Sequence, residues 1–473
     1  MDLSKNRIGN KIESIHLIAI CGTGMGALGS MLKDLGYKVT GSDQKVYPPM
    51  SDFLLNKGIE IADGFNEKNV SYGTDLVVVG NTVSRENAEV VGMLRSGLNF
   101  CSMPQAVNHF LAGNKKQLVI TGTHGKTTTS SIIAWILNEA GFDPCFMIGG
   151  ILKNFGSNYR LGKGEYFVIE GDEYDTAYFD KGAKFLHYDP FMAILTGVEF
   201  DHADIFKDID HVRQAFDAFI SGVSSRGTLL AFDDDRNVAD LTKGRQCRVL
   251  KYGRDTDTFW RLGAVSIDPP WTNFEVLKQG AVFGNFKTKL MGDHNLFNAL
   301  PGVAAAYDLK IPVEVIAGAF ETFKGIKRRQ EVRGVKRDIT VMDDFAHHPT
   351  AVRETIRAVK PFCPDGRLIA VFEPRTNTSM RKVFQDIYPL SFGNADLICI
   401  RHPSRIEKIP PAERFSSQKL VADLKQQGKD AHFFQNTESI IDFLVTKARP
   451  GDLILIMSNG GFDNIHERLL NAL

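Results

Sequence analysis

The chain has 473 residues, 43% of them hydrophobic and 24% charged, and its 56 basic and 56 acidic side chains balance to a formal net charge of zero. That length exceeds one ordinary core and predicts two or three domains. The charge balance excludes the basic excess of a nucleic-acid or membrane-surface binder, and the longest apolar runs, such as Leu453–Met457, are strand-sized and too short to span a bilayer.

Residues 1–11 are polar and lack the apolar core of a signal peptide, so a cytoplasmic protein is expected. The six cysteines, Cys21, Cys101, Cys145, Cys247, Cys363 and Cys399, are scattered and form no C-x-x-C pair. They read as small buried apolar groups rather than as a zinc site or a disulfide framework.

The first block opens with the apolar run Ile15 to Ile20, which reads as a buried strand. A glycine-rich loop, Gly22 to Gly26, leads into a helical pattern that ends at Gly36. Strands are expected at Lys38 to Thr40 and at Leu76–Val79. This block, residues 1–113, is expected to be a Rossmann-like domain.

The second block, 114–327, repeats the strand–glycine loop–helix unit. Its strand is Leu118 to Ile120, and its helix carries Ile132, Ile133, Trp135 and Ile136. Further strands are expected at Tyr166 to Ile169 and Ala193 to Leu195, and the β-rich stretch 229–291 is assigned to the same domain. The expectation is a central P-loop ATPase-type domain with a mostly parallel sheet. The third block, 328–473, starts at the charged, hinge-like segment Lys327 to Arg329. Its strands, Ile339 to Met342, Leu368–Phe372, Leu397 to Ile400 and Leu453–Met457, alternate with helical patterns, again Rossmann-like. The predicted fold class is α/β in three domains.

The sharpest local signal is Gly122-Thr123-His124-Gly125-Lys126-Thr127-Thr128 at a strand–helix junction. Glycines let backbone N–H groups approach phosphate oxygens, and the helix N-terminus adds partial positive charge. Lys126 would reach the β- and γ-phosphates, and the Thr127 hydroxyl would hold Mg²⁺. The strict Walker pattern wants glycine where Ile120 stands, so this is a shortened variant.

Glu170 follows the apolar run Tyr166 to Ile169, and a carboxylate at that strand end suits a hard cation. Asp172 and Glu173 are open to a supporting role or to plain solvation. His202, after the strand Ala193 to Leu195, is open to two readings, a second Mg²⁺ site or a satisfied structural histidine. Asp201 and Asp204 read as caps of the next helix.

Together these residues resemble the Mur ligases, over nearly the whole chain and in the family's order. The motifs are the Gly122–Thr128 loop, Glu170 in Glu-Gly-Asp-Glu, His202 in Asp-His-Ala-Asp, the segment 292–299, Arg328-Arg329, and Asp343-Asp344-Phe-Ala-His347-His348. The resemblance implies that Lys126, Thr127 and Thr128 hold ATP phosphates and Mg²⁺. It makes Glu170 and His202 metal ligands, and His294, Asn295 and Asn298 the frame of the adenine. Asn295 also reads as a helix N-cap. Arg328 and Asp344 would close over the nucleotide, with His347 and His348 near the reacting end. The first domain would bind a UDP-sugar, with Gly22, Thr23, Gly24, Met25 and Gly26 facing the diphosphate. Asp43 would bond the ribose and Ser84 the sugar nucleotide.

Many relatives carry asparagine where Gly197 stands. The stretch 213–219 lacks the lysine that several members carbamylate, which fits the members acting on UDP-N-acetylmuramate itself. Within the family, the segments 41–51, 173–181, 199–206, 372–378 and 457–462 are most similar to the ligase of peptidoglycan recycling. That enzyme joins UDP-N-acetylmuramate to the murein tripeptide L-alanyl-γ-D-glutamyl-meso-diaminopimelate; ligation to L-alanine is the alternative. An acyl phosphate made from ATP is expected, with Lys126, His202, His348 and Arg375 as catalytic candidates. Arg375 would grip a substrate carboxylate, and its other reading is a surface arginine. The expected partners are these small molecules, with no nucleic acid and no membrane, on a monomer or weak homodimer. Two other classes were open to the residues alone. Gly22-x-Gly24-x-x-Ala27 with Asp43 fits a nicotinamide-dependent dehydrogenase, and a non-catalytic nucleotide-binding regulator is the third reading.

Overall fold

A computed structural model describes residues 3–44, 46, 50–70, 73–203, 205–255 and 257–473. Tyr47, Pro48 and Pro49 of the 41–51 segment, and Asp204, lie outside the described residues. The expected α/β class is found. By contact density the chain forms two compact units, Met1–Val198 with Val212–Arg261 and Leu300–Ala319, and Glu199–His211 with Leu262–Ala299 and Phe320–Leu473. Among the described residues no helix is long and apolar enough to cross a membrane.

The first unit holds two large sheets and the small antiparallel pair Asp175–Ala177 and Asp180–Ala183. The N-terminal one is five-stranded and parallel, in the order Glu60–Asp63, Lys38–Asp43, Ser14–Ile18, Leu76–Val79, Asn99–Ser102. Its central strand stops at Ile18, two residues before the expected end, because Ala19 takes a left-handed conformation (φ 64°) and turns the chain into the glycine loop. The helix Thr23–Asp34 follows, with small residues Gly26, Ala27, Gly29 and Ser30 on its buried side, where a flat surface lets it pack closely on the sheet.

Within this unit, seven strands of the second large sheet run in the order Arg248–Gly253, Thr228–Phe232, Pro190–Leu195, Lys116–Thr121, Tyr166–Gly171, Cys145–Leu152, Ser157–Arg160. They are parallel except for the last pair. Strands covered on both faces lose the polar–apolar alternation, and Leu118, Val119, Ile120, Phe167, Val168 and Ile194 are all buried. The strands Lys116–Thr121, Tyr166–Gly171 and Pro190–Leu195 therefore end side by side, and their C-terminal ends carry the phosphate loop, Glu170 and Thr196.

In the second unit, Trp271–Lys278 and Ala281–Thr288 form an antiparallel hairpin whose Phe274 and Phe286 pack on Phe320 at 5.4 and 5.5 Å. That aromatic cluster groups part of the 229–291 stretch with the C-terminal residues. The main sheet runs Glu331–Lys336, Ile339–Asp344, Leu453–Met457, Leu368–Phe372, Leu397–Arg401, Ala431–Phe434, with only the first strand antiparallel. The helices Pro349–Val359 and Ser417–Gln426 cover one face, and Thr437–Lys447 and Ile465–Ala472 cover the other. The chain therefore leaves Leu453–Met457 toward one face and its neighbours Ile339–Asp344 and Leu368–Phe372 toward the other, so the strand order reverses at this edge.

Candidate active site

In the first unit the phosphate loop is fixed before any ligand contact is considered. Gly122 has φ 132° and Gly125, the residue before the helix Lys126–Glu139, has φ 82°. A Cβ on Gly122 would collide with Thr196 Oγ1 and stand 2.9 Å from the Gly197 carbonyl. Thr123 N–H donates to Gly197 O at 2.9 Å, Thr196 N–H donates to Thr121 O at 2.9 Å, and the Thr196 hydroxyl donates to His124 O. The strand Pro190–Leu195 thus buttresses the loop. Gly197 itself has φ 149°, a conformation suited to glycine.

Lys126 is buried among acids. Its Nζ lies 3.2 Å from Glu173 Oε2 and donates to the Gly122 carbonyl. Burial alone would lower its pKa, but Glu173, Asp172 and Glu170 outweigh it and hold the pKa above the usual lysine value. Glu173 is therefore a buried ion-pair partner of the loop lysine rather than a solvated charge. Thr127 Oγ1 stands 3.2 Å from Glu170 Oε2, and Gly149 N–H donates to Glu170 Oε1 at 2.7 Å. Burial, and then Asp172, push the Glu170 carboxyl above its ordinary range. A hydroxyl and a carboxylate oxygen meeting beside a phosphate loop are hard donors, and this pair fits Mg²⁺.

The UDP-sugar candidates also lie in this unit. Gly22 precedes the helix Thr23–Asp34 with no side-chain cap, and that helix has no acid in its first turn, so its N–H groups face an electropositive end. Gly24 approaches Met103 and Met147, and Gly26 approaches Met50, so Cβ atoms there would crowd these side chains. Asp43 accepts from Cys21 N–H at 2.9 Å through Oδ2 and from Gln44 N–H at 2.8 Å, tying the glycine turn to the neighbouring strand. Thr23 and Met25 lie on the first turns of the helix; Ser84 is exposed in the turn that precedes the helix Ala88–Arg95.

Asn295 and Asn298 belong to the second unit, and the helix Asp293–Asp308 that carries them starts two residues before Asn295. Asn295 is thus not the expected N-cap: Gly292, at φ 84°, makes the turn into the helix, and the Asn295 side chain is left to reach sideways. Its Nδ2 donates to Met291 O and to Gln330 Oε1, both at 3.0 Å, and Asn298 donates to Asn295 Oδ1 at 3.4 Å. Gln330 N–H donates to Asp344 Oδ2 at 2.8 Å, so Gln330 links Asn295 to Asp344. The sequence reading missed Gln330; its signal was a polar residue directly after the Arg328-Arg329 pair. Asp344 is buried, which raises its pKa, and the nearby Arg329 and the N–H groups of Gln330 and Ala346 oppose that rise. Arg328 turns the other way, donating to Ser458 O and Gly460 O at 2.6 and 2.7 Å and facing Asp343 at 3.5 Å. His294 occupies the first turn of the same helix.

The histidines cluster around Asp201. Asp201 is buried and caps no helix, since Asp208 accepts from His211 N–H at the next helix instead. Burial pushes the Asp201 carboxyl up, but His202, His347, His348 and the N–H of His202 outweigh it and bring its pKa to about 2. His202 has φ 55°. His348 is the N-cap of the helix Pro349–Val359: its Nδ1 accepts from Thr350 N–H at 3.3 Å and its Nε2 donates to Phe200 O at 3.2 Å. Glu199 receives the Thr350 hydroxyl at 2.8 Å and lies 3.5 Å from His348. His347 faces Asp201 at 4.0 Å. Arg375 is not a surface arginine. Its side chain is 22% exposed, and its guanidinium faces the fully buried Glu373 at 3.6 Å.

Three family models match the chain: the Mur ligase family catalytic domain over residues 14–115, the Mur ligase middle domain over 120–306, and the Mur ligase glutamate ligase domain over 328–460. The chain is 38% identical to the UDP-N-acetylmuramate–L-alanyl-γ-D-glutamyl-meso-2,6-diaminoheptandioate ligase of Haemophilus influenzae, covering 98% of this chain and 99% of that protein. It is 33% identical to the UDP-N-acetylmuramate–L-alanine ligase of Clostridium tetani, over 95% of this chain and 96% of that one. The crystal structure of a murein peptide ligase from Psychrobacter arcticus superimposes with a TM-score of 0.72 at 35% identity, covering 97% of this chain and 98% of that chain.

Proposed function

The chain belongs to the Mur ligase family, and from that premise we propose that it joins UDP-N-acetylmuramate to the tripeptide L-alanyl-γ-D-glutamyl-meso-diaminopimelate, with ATP as the energy source, in the cytoplasmic recycling of peptidoglycan. The observation that carries the ATP half is the meeting of Lys126, Thr127 and Glu170 at the ends of adjacent strands. The higher identity to the tripeptide ligase of H. influenzae supports the acceptor. Residues 1–113 are assigned to the UDP-sugar, 114–327 to ATP, and 328–473 to the acceptor and nucleotide closure.

A carboxylate cannot be amidated directly, because its own oxygen is too poor a leaving group. The muramyl carboxylate oxygen attacks the γ-phosphorus of ATP, the bridging P–O bond breaks, and ADP leaves. The acceptor's L-alanyl nitrogen then attacks the acyl carbon, and phosphate departs with the C–O electron pair. Lys126 steadies the phosphate charge in both stages. Mg²⁺ would be held by Thr127 and Glu170, where it would supply charge neutralisation on the phosphates. The amine proton needs an acceptor. His202 and His348 are the two candidates for that role. Arg375 takes a carboxylate of the acceptor.

The test is phosphate release from ATP with UDP-N-acetylmuramate plus either tripeptide or L-alanine. Turnover with the tripeptide is expected. Turnover with L-alanine alone would move the protein to the alanine-adding branch, and NADH binding without ATP turnover would restore the dehydrogenase reading of Gly22–Ala27.

A further inference from the structure

Glu373 is a charged side chain with no exposure to solvent. It follows the strand Leu368–Phe372, at the sheet's C-terminal edge beside Leu453–Met457. A carboxylate so placed is stable only with full compensation. Its Oε1 accepts from Arg401 Nη1 at 2.6 Å and from the Ser404 hydroxyl at 3.2 Å. Its Oε2 accepts from the Ser458 hydroxyl at 2.7 Å and faces Arg375 Nη1 at 3.6 Å.

The two arginines are held unequally. Arg401, itself buried, bridges Glu373 and Asp463, donating to Asp463 Oδ2 at 2.5 Å while the Thr437 hydroxyl donates to the same oxygen at 2.8 Å. Two acids and Arg401 leave one negative charge, which Arg375 balances. Arg375 sits beyond hydrogen-bond length of Glu373, so the pairing orients its guanidinium without consuming the fork that binds a carboxylate. The opposite side is fixed by Gly460, where a Cβ would overlap Arg375 Nε, Cδ and Cζ. Arg328 clamps the carbonyls of Ser458 and Gly460, so that bare stretch of backbone is held in place.

We propose that Glu373 is a positioning residue: it holds Arg375 against Gly460 at the sheet edge, poised for a carboxylate of the acceptor. This rests on the reading above that the acceptor is an acidic peptide. The role is separable from folding, because in a Glu373→Gln protein the amide oxygen still accepts from Arg401 and Ser404 while the amide N–H2 donates to the Ser458 hydroxyl oxygen.

Steady-state constants are measured for tripeptide, UDP-N-acetylmuramate and ATP. Turnover of the tripeptide by the wild type tests the functional reading before any variant is made; should L-alanine be the acceptor, its own carboxylate serves and its KM is followed instead. Glu373→Gln is expected to raise the acceptor KM about tenfold while the other two KM values stay within about twofold. Gly460→Ala, which displaces Arg375 from the other side, should reproduce that pattern, and it stands as the test if Glu373→Gln does not fold. In an Arg375→Ala background, Glu373→Gln should add nothing further, because the residue acts through Arg375. The proposal is overturned if the acceptor KM is unchanged in Glu373→Gln or Gly460→Ala, if all three KM values rise together, or if the Glu373 effect persists in full without Arg375.

Discussion

Replacing Lys126 with alanine removes the ammonium that faces Glu173, Asp172 and Glu170 at the phosphate loop. At 3.2 Å from Glu173, its gross attraction is about 5 kcal/mol at an effective dielectric of about 20. Breaking a buried pair from one side costs about 3–5 kcal/mol, since the partner keeps its burial and loses its compensation. At about 2–4 °C per kcal/mol for a unit of this size, Lys126→Ala should melt about 10 °C below the wild type. Turnover should fall at least about 100-fold through lost phosphate stabilisation. The deficit should also depend on pH. The Glu170 carboxyl is held above its usual range in the folded chain, first by burial and then by Asp172. A raised folded pKa means that stability is lost as pH rises through it, and removing the nearby cation strengthens that loss. Calorimetry of both proteins at pH 7.5 and 5.0 should therefore show a larger gap at pH 7.5. Adding Glu173→Gln should recover part of the melting temperature without restoring activity. A gap that is equal at both pH values, or wider at pH 5.0, would refute the electrostatic account of this nest.

Gly122→Ala should lower stability by about 2–5 kcal/mol, combining a left-side backbone conformation with the collision at Thr196, and a thermal melt of the purified protein checks it. Asp201→Asn should cost about 2 kcal/mol at neutral pH, the worth of a carboxyl brought to about 2. Because that pKa is lowered on folding, the wild type's advantage is full above the unfolded pKa and should vanish as denaturation is followed down toward about pH 2. Gln330→Ala should raise the KM for ATP about tenfold by freeing Asn295 and Asp344, with the UDP-sugar KM unmoved; equal loss for both substrates would count against a nucleotide-side role.

The sheets were legible because parallel strands covered on both faces must be continuous apolar runs, as at Leu76–Val79 and Leu453–Met457. Strand ends were less so. Nothing in Ile15 to Ile20 announces the left-handed turn at Ala19, which is set by packing around the glycine loop. The phosphate loop and Glu170 were legible because their chemistry needs rare residue types at fixed spacing. Glu373 and Gln330 were not, since a glutamate before proline and a glutamine after two arginines look like surface residues. Only the sheet register brings Arg401 and Ser458 to the first, and only the fold brings Asn295 to the second. Asn295 and Asp201 were both misread as caps for the same reason: side-chain preference names a residue's usual place, while the true helix starts lay at Asp293 and Ile209.

The seam between the phosphate loop and the end of the strand Pro190–Leu195 has a thermodynamic consequence. Thr123, His124 and Gly122 are locked to Thr196 and Gly197 as soon as those two strands pair, so the loop's conformational entropy is surrendered during folding. A triphosphate arriving there meets N–H groups already in place, and its affinity reports on charge and hydrogen bonding alone. Loosening the seam from the side of Thr196 and Gly197 would weaken binding as surely as removing a contact.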